Sequence, residues 1–316
     1  MARPKIAFCF PGQGTQYVGM GRDLLETSKK AQEIFTICEE VVGRKILDVM
    51  LNGPKEELLK TEVLQPALTA LELSLYIALK QEGISPDACA GHSLGEYAAL
   101  FAAGVLDLGD TFYLISKRGQ FMEEAAKRQP GSMAAVIGLD RETISEVVGP
   151  CSHDGVLTLA NYNSPDQIII TGDATLVKKA SSRLKEKGAR VVPLKVAGAF
   201  HSPLMADAAA KFQTELEKIQ FKRPHTAFYS NVTGIQEEDP AVIKGLMVEQ
   251  IKSPVLWYPI VKNMYSDGVR VFIEIGPKKV LTNLIKKSLD PSDITLLQFE
   301  DVEGLKGVVE TLKEAL

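Results

Sequence analysis

Cysteine is scarce in this chain: Cys9, Cys38, Cys89 and Cys151 are the only four in 316 residues, and they lie far apart with no Cys-x-x-Cys pair and no matching histidine cluster. That scatter argues against a zinc site and against a disulfide framework, so no metal is expected and a reducing cytoplasm fits best. An excess of one charge is missing as well. A formal net charge of −4 gives no general attraction to nucleic acid or anionic lipid, so neither nucleic acid nor a membrane is expected as a partner. No run approaches membrane-spanning length, and the apolar N-terminal stretch meets Pro11 and Gly12 at once, which makes it a first strand rather than a signal peptide. With 45% hydrophobic residues, the chain has enough apolar material for one large domain or for a core carrying a smaller insert.

The most informative stretch is Gly91-His92-Ser93-Leu94-Gly95-Glu96-Tyr97. It sets a hydroxyl between two glycines where an apolar segment turns into a helix, the pattern of a nucleophile elbow. A Cβ at 91 or 95 is expected to collide with neighbouring backbone, and Ser93 is expected to sit on the bend with its oxygen exposed. Residues 94 to 103 read as a buried helix closed by Gly104. The free N–H groups at its start lie beside Ser93, where they can steady an oxyanion. Upstream, residues 4 to 10 read as a doubly buried strand ending in Pro11-Gly12-Gln13-Gly14. In an open α/β sheet that end is where sites form, which makes the backbone N–H of Gln13 a second oxyanion donor.

Helical patterns follow at about 28 to 42, 65 to 82 and 110 to 128, the last with Asp110 as its cap. Arg118 and Met122 share a face of that helix. An arginine on a helix is usually solvated, but Arg118 beside Gly119, in a helix otherwise built to pack, leaves a role inside a pocket open. From 129 to 197 the order becomes β-α-β-β-α-β, a ferredoxin-like unit of the size of an insert. The expected division is therefore a large α/β core from residues 1–128 plus 198–316, and a small subdomain at 129–197. Lys178, Lys179, Arg183, Lys185, Lys187 and Arg190 gather on and after the insert's second helix, as a solvated face or a dock for an acidic partner. Asn161 and Asn163 read most simply as turn formers before Pro165. Among the four histidines, His92 lies inside the elbow with its ring turned away, and His153 and His225 have surface contexts. His201, in a loop over the junction of the two units, is the best-placed base for an activated serine.

Pro11-Gly12-Gln13-Gly14, the elbow, Arg118, the segment 161–167 (NYNSPDQ), the segment 198–205 (GAFHSPLM) and the segment 248–257 (VEQIKSPVLW) together resemble the malonyl-CoA:acyl carrier protein transacylase family, in order and over the full chain. The resemblance implies a hydrolase-like core with a mostly parallel sheet and an inserted ferredoxin-like βαββαβ subdomain. It implies a malonyl group carried from malonyl-CoA to the phosphopantetheine thiol of holo acyl carrier protein, through an ester on Ser93 formed with His201 as base. In that scheme the main-chain carbonyl of Gln250 orients His201, and the N–H groups of Gln13 and Leu94 hold the oxyanion. Arg118 pairs with the malonyl carboxylate, with Met122, Phe200 and Asn163 also on the substrate side. No cofactor is required, and a monomer is expected. A Ser-His thioesterase or esterase would share the elbow but give no reason for a pocket arginine. A non-catalytic carrier-binding module would need neither Ser93 nor His201.

Overall fold

The structure, a computed structural model, describes residues 3–196 and 198–315. It opens with β1 (Lys5–Phe10), an apolar strand buried from its second residue onward. Five helices follow: α1 (Arg22–Thr27), α2 (Lys29–Val42), α3 (Leu47–Asn52), α4 (Lys55–Leu58) and α5 (Thr61–Gln81). Then come β2 (Ala88–Gly91), α6 (Gly95–Ala102) and α7 (Leu108–Arg128). The middle of the chain holds β3 (Ser132–Ile137), α8 (Arg141–Cys151), β4 (Leu157–Ser164), β5 (Gln167–Gly172), α9 (Ala174–Glu186) and β6 (Arg190–Pro193). After it lie α10 (Ala206–Leu216), β7 (Ala227–Tyr229), β8 (Gln236–Glu237), α11 (Pro240–Gln250) and α12 (Trp257–Ser266). The chain finishes with β9 (Val269–Ile275), α13 (Val280–Ser288), β10 (Thr295–Phe299) and α14 (Val302–Ala315).

Six strands form one sheet in the order β10-β9-β1-β2-β7-β8, parallel throughout except for the β7–β8 pair. Parallel neighbours need helical crossovers, and the runs between these strands supply them. The register Phe10↔Gly91 brings the C-terminal ends of β1 and β2 level, so the two loops that follow them meet at one sheet edge. Helices cover both faces, which is why β1 is apolar on both.

The second sheet has the order β4-β5-β3-β6 and is antiparallel, the ferredoxin-like arrangement. Strands β3 and β5 alternate residue by residue, while register shifts interrupt β4 between Leu159 and Asn161 and between Tyr162 and Ser164. Ala134, Val136, Ile168 and Ile170 pack under α8 and α9, while Met133, Ala135 and Ile169 turn the other way and join the large core. The six basic residues on and after α9 are all exposed, and Lys179 pairs with Asp154 at 2.9 Å.

Three expectations change. Helix α7 begins two residues before Asp110, and Asp107 caps it by accepting the Asp110 N–H at 2.9 Å. Asn161 and Asn163 are buried strand residues of β4 rather than turn formers, the turn falling at Pro165 and Asp166. Finally, α5, with 21 residues, is long and apolar enough to cross a membrane by length and composition. Yet 83% of that apolar window is buried inside the protein, which is how a helix apolar nearly all round is used at the centre of a core.

Candidate active site

The elbow is tight because the two loops at the sheet edge leave no room for side chains. A Cβ on Gly95 would stand 2.2 Å from the Phe10 carbonyl oxygen, and one on Gly91 would stand 2.0 Å from Gly95 backbone. Between them Ser93 is forced to φ 54°, a left-handed conformation costing about 1–3 kcal/mol outside glycine. Hydrogen bonds hold it there. Asn231, just past β7, accepts the Ser93 N–H at 2.8 Å and donates to the Gly91 carbonyl at 2.6 Å, while Gln250 Nε2 donates to the Ser93 carbonyl at 2.7 Å. Downstream, α6 ends as expected, with Gly104 at φ 80° and the Val105 N–H reaching back to the Leu100 carbonyl at 2.9 Å.

His201, itself at φ 57°, places Nε2 2.8 Å from Ser93 Oγ. Its Nδ1 faces two main-chain carbonyls, Gln250 at 2.9 Å and Ser253 at 3.2 Å. Carbonyls only accept, so Nδ1 carries the proton and Nε2 is left bare to accept the Ser93 hydroxyl. Among the described residues no carboxylate bonds the ring. Burial first, then the Arg118 charge, push the imidazole down to about 3, below the neutral range expected of a poised base, so the ring is uncharged at any ordinary pH.

Arg118 is 1% exposed. Its Nε and Nη2 both donate to Gln250 Oε1, at 3.2 and 2.9 Å, and Nη2 also donates to Ser93 Oγ at 3.1 Å. Among the described residues no carboxylate forms a salt bridge with it. The charge of Glu96 acts on it through space, and that carboxylate is fully buried and accepts the Asn231 N–H and Gln250 Nε2, each at 2.7 Å.

Ser93, His201, Arg118, Met122, Phe200, Asn163, Gln13 and Leu94 all line one cavity of about 240 Å³. Gln250 stands behind it, touching it through the residues it holds. Among the described residues, neither the Gln13 nor the Leu94 N–H has a partner within the chain. Asn163 Oδ1 lies 2.8 Å from His92 Nε2, which keeps the His92 ring off Ser93. Met122 accepts a weak bond from Gln65 Nε2 at 3.7 Å through its sulfur. Among the described residues no group of three His, Cys, Asp or Glu is placed to hold a metal. Sequence reasoning missed Asn231, Glu96 and the side chain of Gln250. One signal was available: Glu96 is the single carboxylate in an otherwise apolar helix, and such a group is buried only with partners.

The profile of the family described as "acyl transferase domain" matches residues 7–303. A malonyl CoA-acyl carrier protein transacylase of Bacillus subtilis strain 168 is 41% identical over 312 residues, 98% of this chain and 98% of that protein. The crystal structure of a malonyl CoA-acyl carrier protein transacylase from Clostridium perfringens is similar with a TM-score of 0.93 at 36% identity, covering 98% of both chains. A malonyl-transacylase solved in complex with a type II PKS acyl-carrier protein gives a TM-score of 0.93 at 35% identity, covering 97% of this chain and 99% of that one.

Proposed function

The chain belongs to the acyl transferase domain family, and from that premise we propose how its cavity carries out the reaction. The protein is an acyltransferase that moves a malonyl group from malonyl-CoA to acyl carrier protein for fatty-acid synthesis. Ser93 Oγ attacks the thioester carbonyl while His201 Nε2 takes the hydroxyl proton. The N–H groups of Gln13 and Leu94, unpartnered and at the cavity wall, receive the oxyanion. Collapse breaks the C–S bond, His201 returns the proton to the departing CoA sulfur, and a malonyl ester remains on Ser93. In the second half-reaction the phosphopantetheine thiol of holo acyl carrier protein gives its proton to His201, attacks the ester and leaves with the malonyl group. Ser93 regains its proton.

The observation that carries this reading is the position of Arg118: a buried guanidinium without a carboxylate partner among the described residues, 3.1 Å from the nucleophile. Its Nε–Nη2 edge is taken by Gln250 and the second hydrogen of Nη2 meets Ser93 Oγ, so the substrate's carboxylate is met by Nη1 and by Nη2 once it turns from Ser93. Met122 and Phe200 supply the apolar wall, and Asn163 holds His92 in place on the other side. Since one chain builds the whole cavity, we take the working unit to be a monomer. Four buried, unpaired thiols fit a cytoplasmic setting.

Intact mass spectrometry tests the scheme. Malonyl-CoA alone is expected to leave one malonyl adduct, absent in Ser93→Ala, and holo acyl carrier protein is expected to remove it and gain the same mass. Release of free malonate faster than transfer would make the protein a hydrolase and reject the reading.

A further inference from the structure

Behind the elbow lies a polar cluster that the transfer chemistry does not use directly. Glu96, Gln250 and Asn231 are each 1% exposed or less, and their hydrogen bonds close into one network with Ser93 and Arg118. We propose that Glu96 is a positioning residue that orients the Gln250 amide and, through it, holds the Arg118 guanidinium toward the acyl cavity.

A glutamine amide has two ends of nearly equal shape and opposite polarity, so its orientation is decided by its neighbours. Here Oε1 accepts from Nε and Nη2 of Arg118, while Nε2 donates to the Ser93 carbonyl and to Glu96 Oε2. Rotating the amide by half a turn would set N–H groups against the guanidinium and an oxygen against both a carbonyl and a carboxylate. All four contacts would turn repulsive. The charge on Glu96 makes that alternative costly, and the Asn231 N–H at 2.7 Å holds the other carboxylate oxygen in place.

The amide spacer serves a second purpose. A buried cation needs a counter-charge, yet a carboxylate bound directly to Arg118 would compete with the substrate for the same donors. Glu96 supplies the negative charge one amide away, so the guanidinium is balanced and its cavity edge stays open. Burial pushes the Glu96 carboxyl up to about 7, opposed by its bonds to Asn231 and Gln250 and by the Arg118 charge. The groups facing it are Arg118 from α7, Tyr97 on its own helix, Ser230 and Asn231 after β7, and Gln250 at the end of α11. Protonation near neutrality therefore weakens the hold on the amide.

The proposal rests on Arg118 as the carboxylate-binding group, and the experiment separates the two. Acylation of Ser93 by malonyl-CoA and by acetyl-CoA is measured in single turnovers for wild type, Glu96→Gln, Arg118→Ala and the double variant. Glu96→Gln is expected to lower malonyl acylation about tenfold to a hundredfold, the loss of one hydrogen bond to a charged group, and acetyl acylation by less than about threefold. Adding it to Arg118→Ala should leave the malonyl-to-acetyl ratio unchanged. The wild-type ratio should fall as pH drops through about 7, and the Glu96→Gln ratio should be flat. Equal losses for both substrates in Glu96→Gln, while Arg118→Ala stays selective, overturn the proposal alone; equal losses in Arg118→Ala overturn the reading beneath it. If Glu96→Gln does not fold, Glu96→Asp, which keeps the charge but draws it back from the Gln250 amide, takes its place with the same selective loss expected and the same refuting result.

Discussion

In the proposed scheme, replacing Arg118 by alanine isolates the part of the site that selects a carboxylated acyl group. Two donors on the open edge of the guanidinium would meet the substrate's carboxylate, and hydrogen bonds to charged groups are worth about 1.5–3 kcal/mol each. From the resulting ~3–6 kcal/mol must be taken about 1 kcal/mol for the Ser93 Oγ contact that Nη2 weakens when it turns to the substrate. The remaining ~2–5 kcal/mol corresponds to a fall in kcat/KM for malonyl-CoA of about thirtyfold to several thousandfold, at 1.4 kcal/mol per factor of ten. Acetyl-CoA makes neither bond. Removing the Arg118 charge also removes the second cause of the low His201 pKa, so acetyl transfer should hold steady or rise. The assay is initial-rate transfer from each thioester to holo acyl carrier protein, with Arg118→Lys as an intermediate case because an ammonium keeps the charge and loses the fork. A parallel drop for both substrates would refute the account of selectivity.

Two further outcomes follow from packing and burial. Gly95→Ala places a methyl 2.2 Å from the Phe10 carbonyl oxygen and 2.5 Å from that of Pro11, so it should lower stability by about 1–3 kcal/mol in denaturant titration and slow acylation by displacing the Gln13 loop; a wild-type midpoint and rate would count against the tight-elbow argument. Glu72 is fully buried with neither carboxylate oxygen hydrogen-bonded, and burial followed by the Glu274 charge raises its pKa well above the ordinary carboxyl value. The folded state then holds a proton that the unfolded chain gives up, so stability contributed by this group falls as pH rises past the unfolded pKa, by at most about 1.4 kcal/mol per pH unit. Glu72→Gln should therefore gain on wild type as pH increases, and a constant difference across the range would show that Glu72 is ionised in the fold.

How much could be read beforehand depended on how much each residue type says by itself. A serine between glycines at a strand-to-helix turn, and a histidine in a loop over a domain junction, carry their chemistry in their identity, and the structure brings Ser93 and His201 to 2.8 Å. Arg118 stood open until a resemblance spoke for it, because an arginine at helical spacing looks the same whether it faces water or a cavity. Asn231 and the Gln250 side chain act by hydrogen bonding to backbone far away along the chain, 140 residues for Asn231 to Gly91, and no periodicity records such a partner. Asn163 was misread because asparagine before Ser-Pro is a turn signal, and only pairing with β5 shows that the strand runs on to Ser164. Asp107 and Asp110 lie three apart at the start of α7, both able to cap, and the backbone decides between them. The helices α1, α3 and α4 have six residues or fewer, under two turns, too short to show a period.

His201 is steered by amide oxygens where many serine enzymes use an acid. Peptide oxygens neither gain nor lose a proton in water, so acidification has nothing to release at that side of the ring, and the imidazole keeps its bearing in conditions that would loosen one tethered to an aspartate. The same neutrality means that, in the proposed scheme, the imidazolium formed midway through each transfer has only dipoles for company on that side. It is drawn to hand its proton back promptly, which suits a protein whose task is to load and unload rather than to hold.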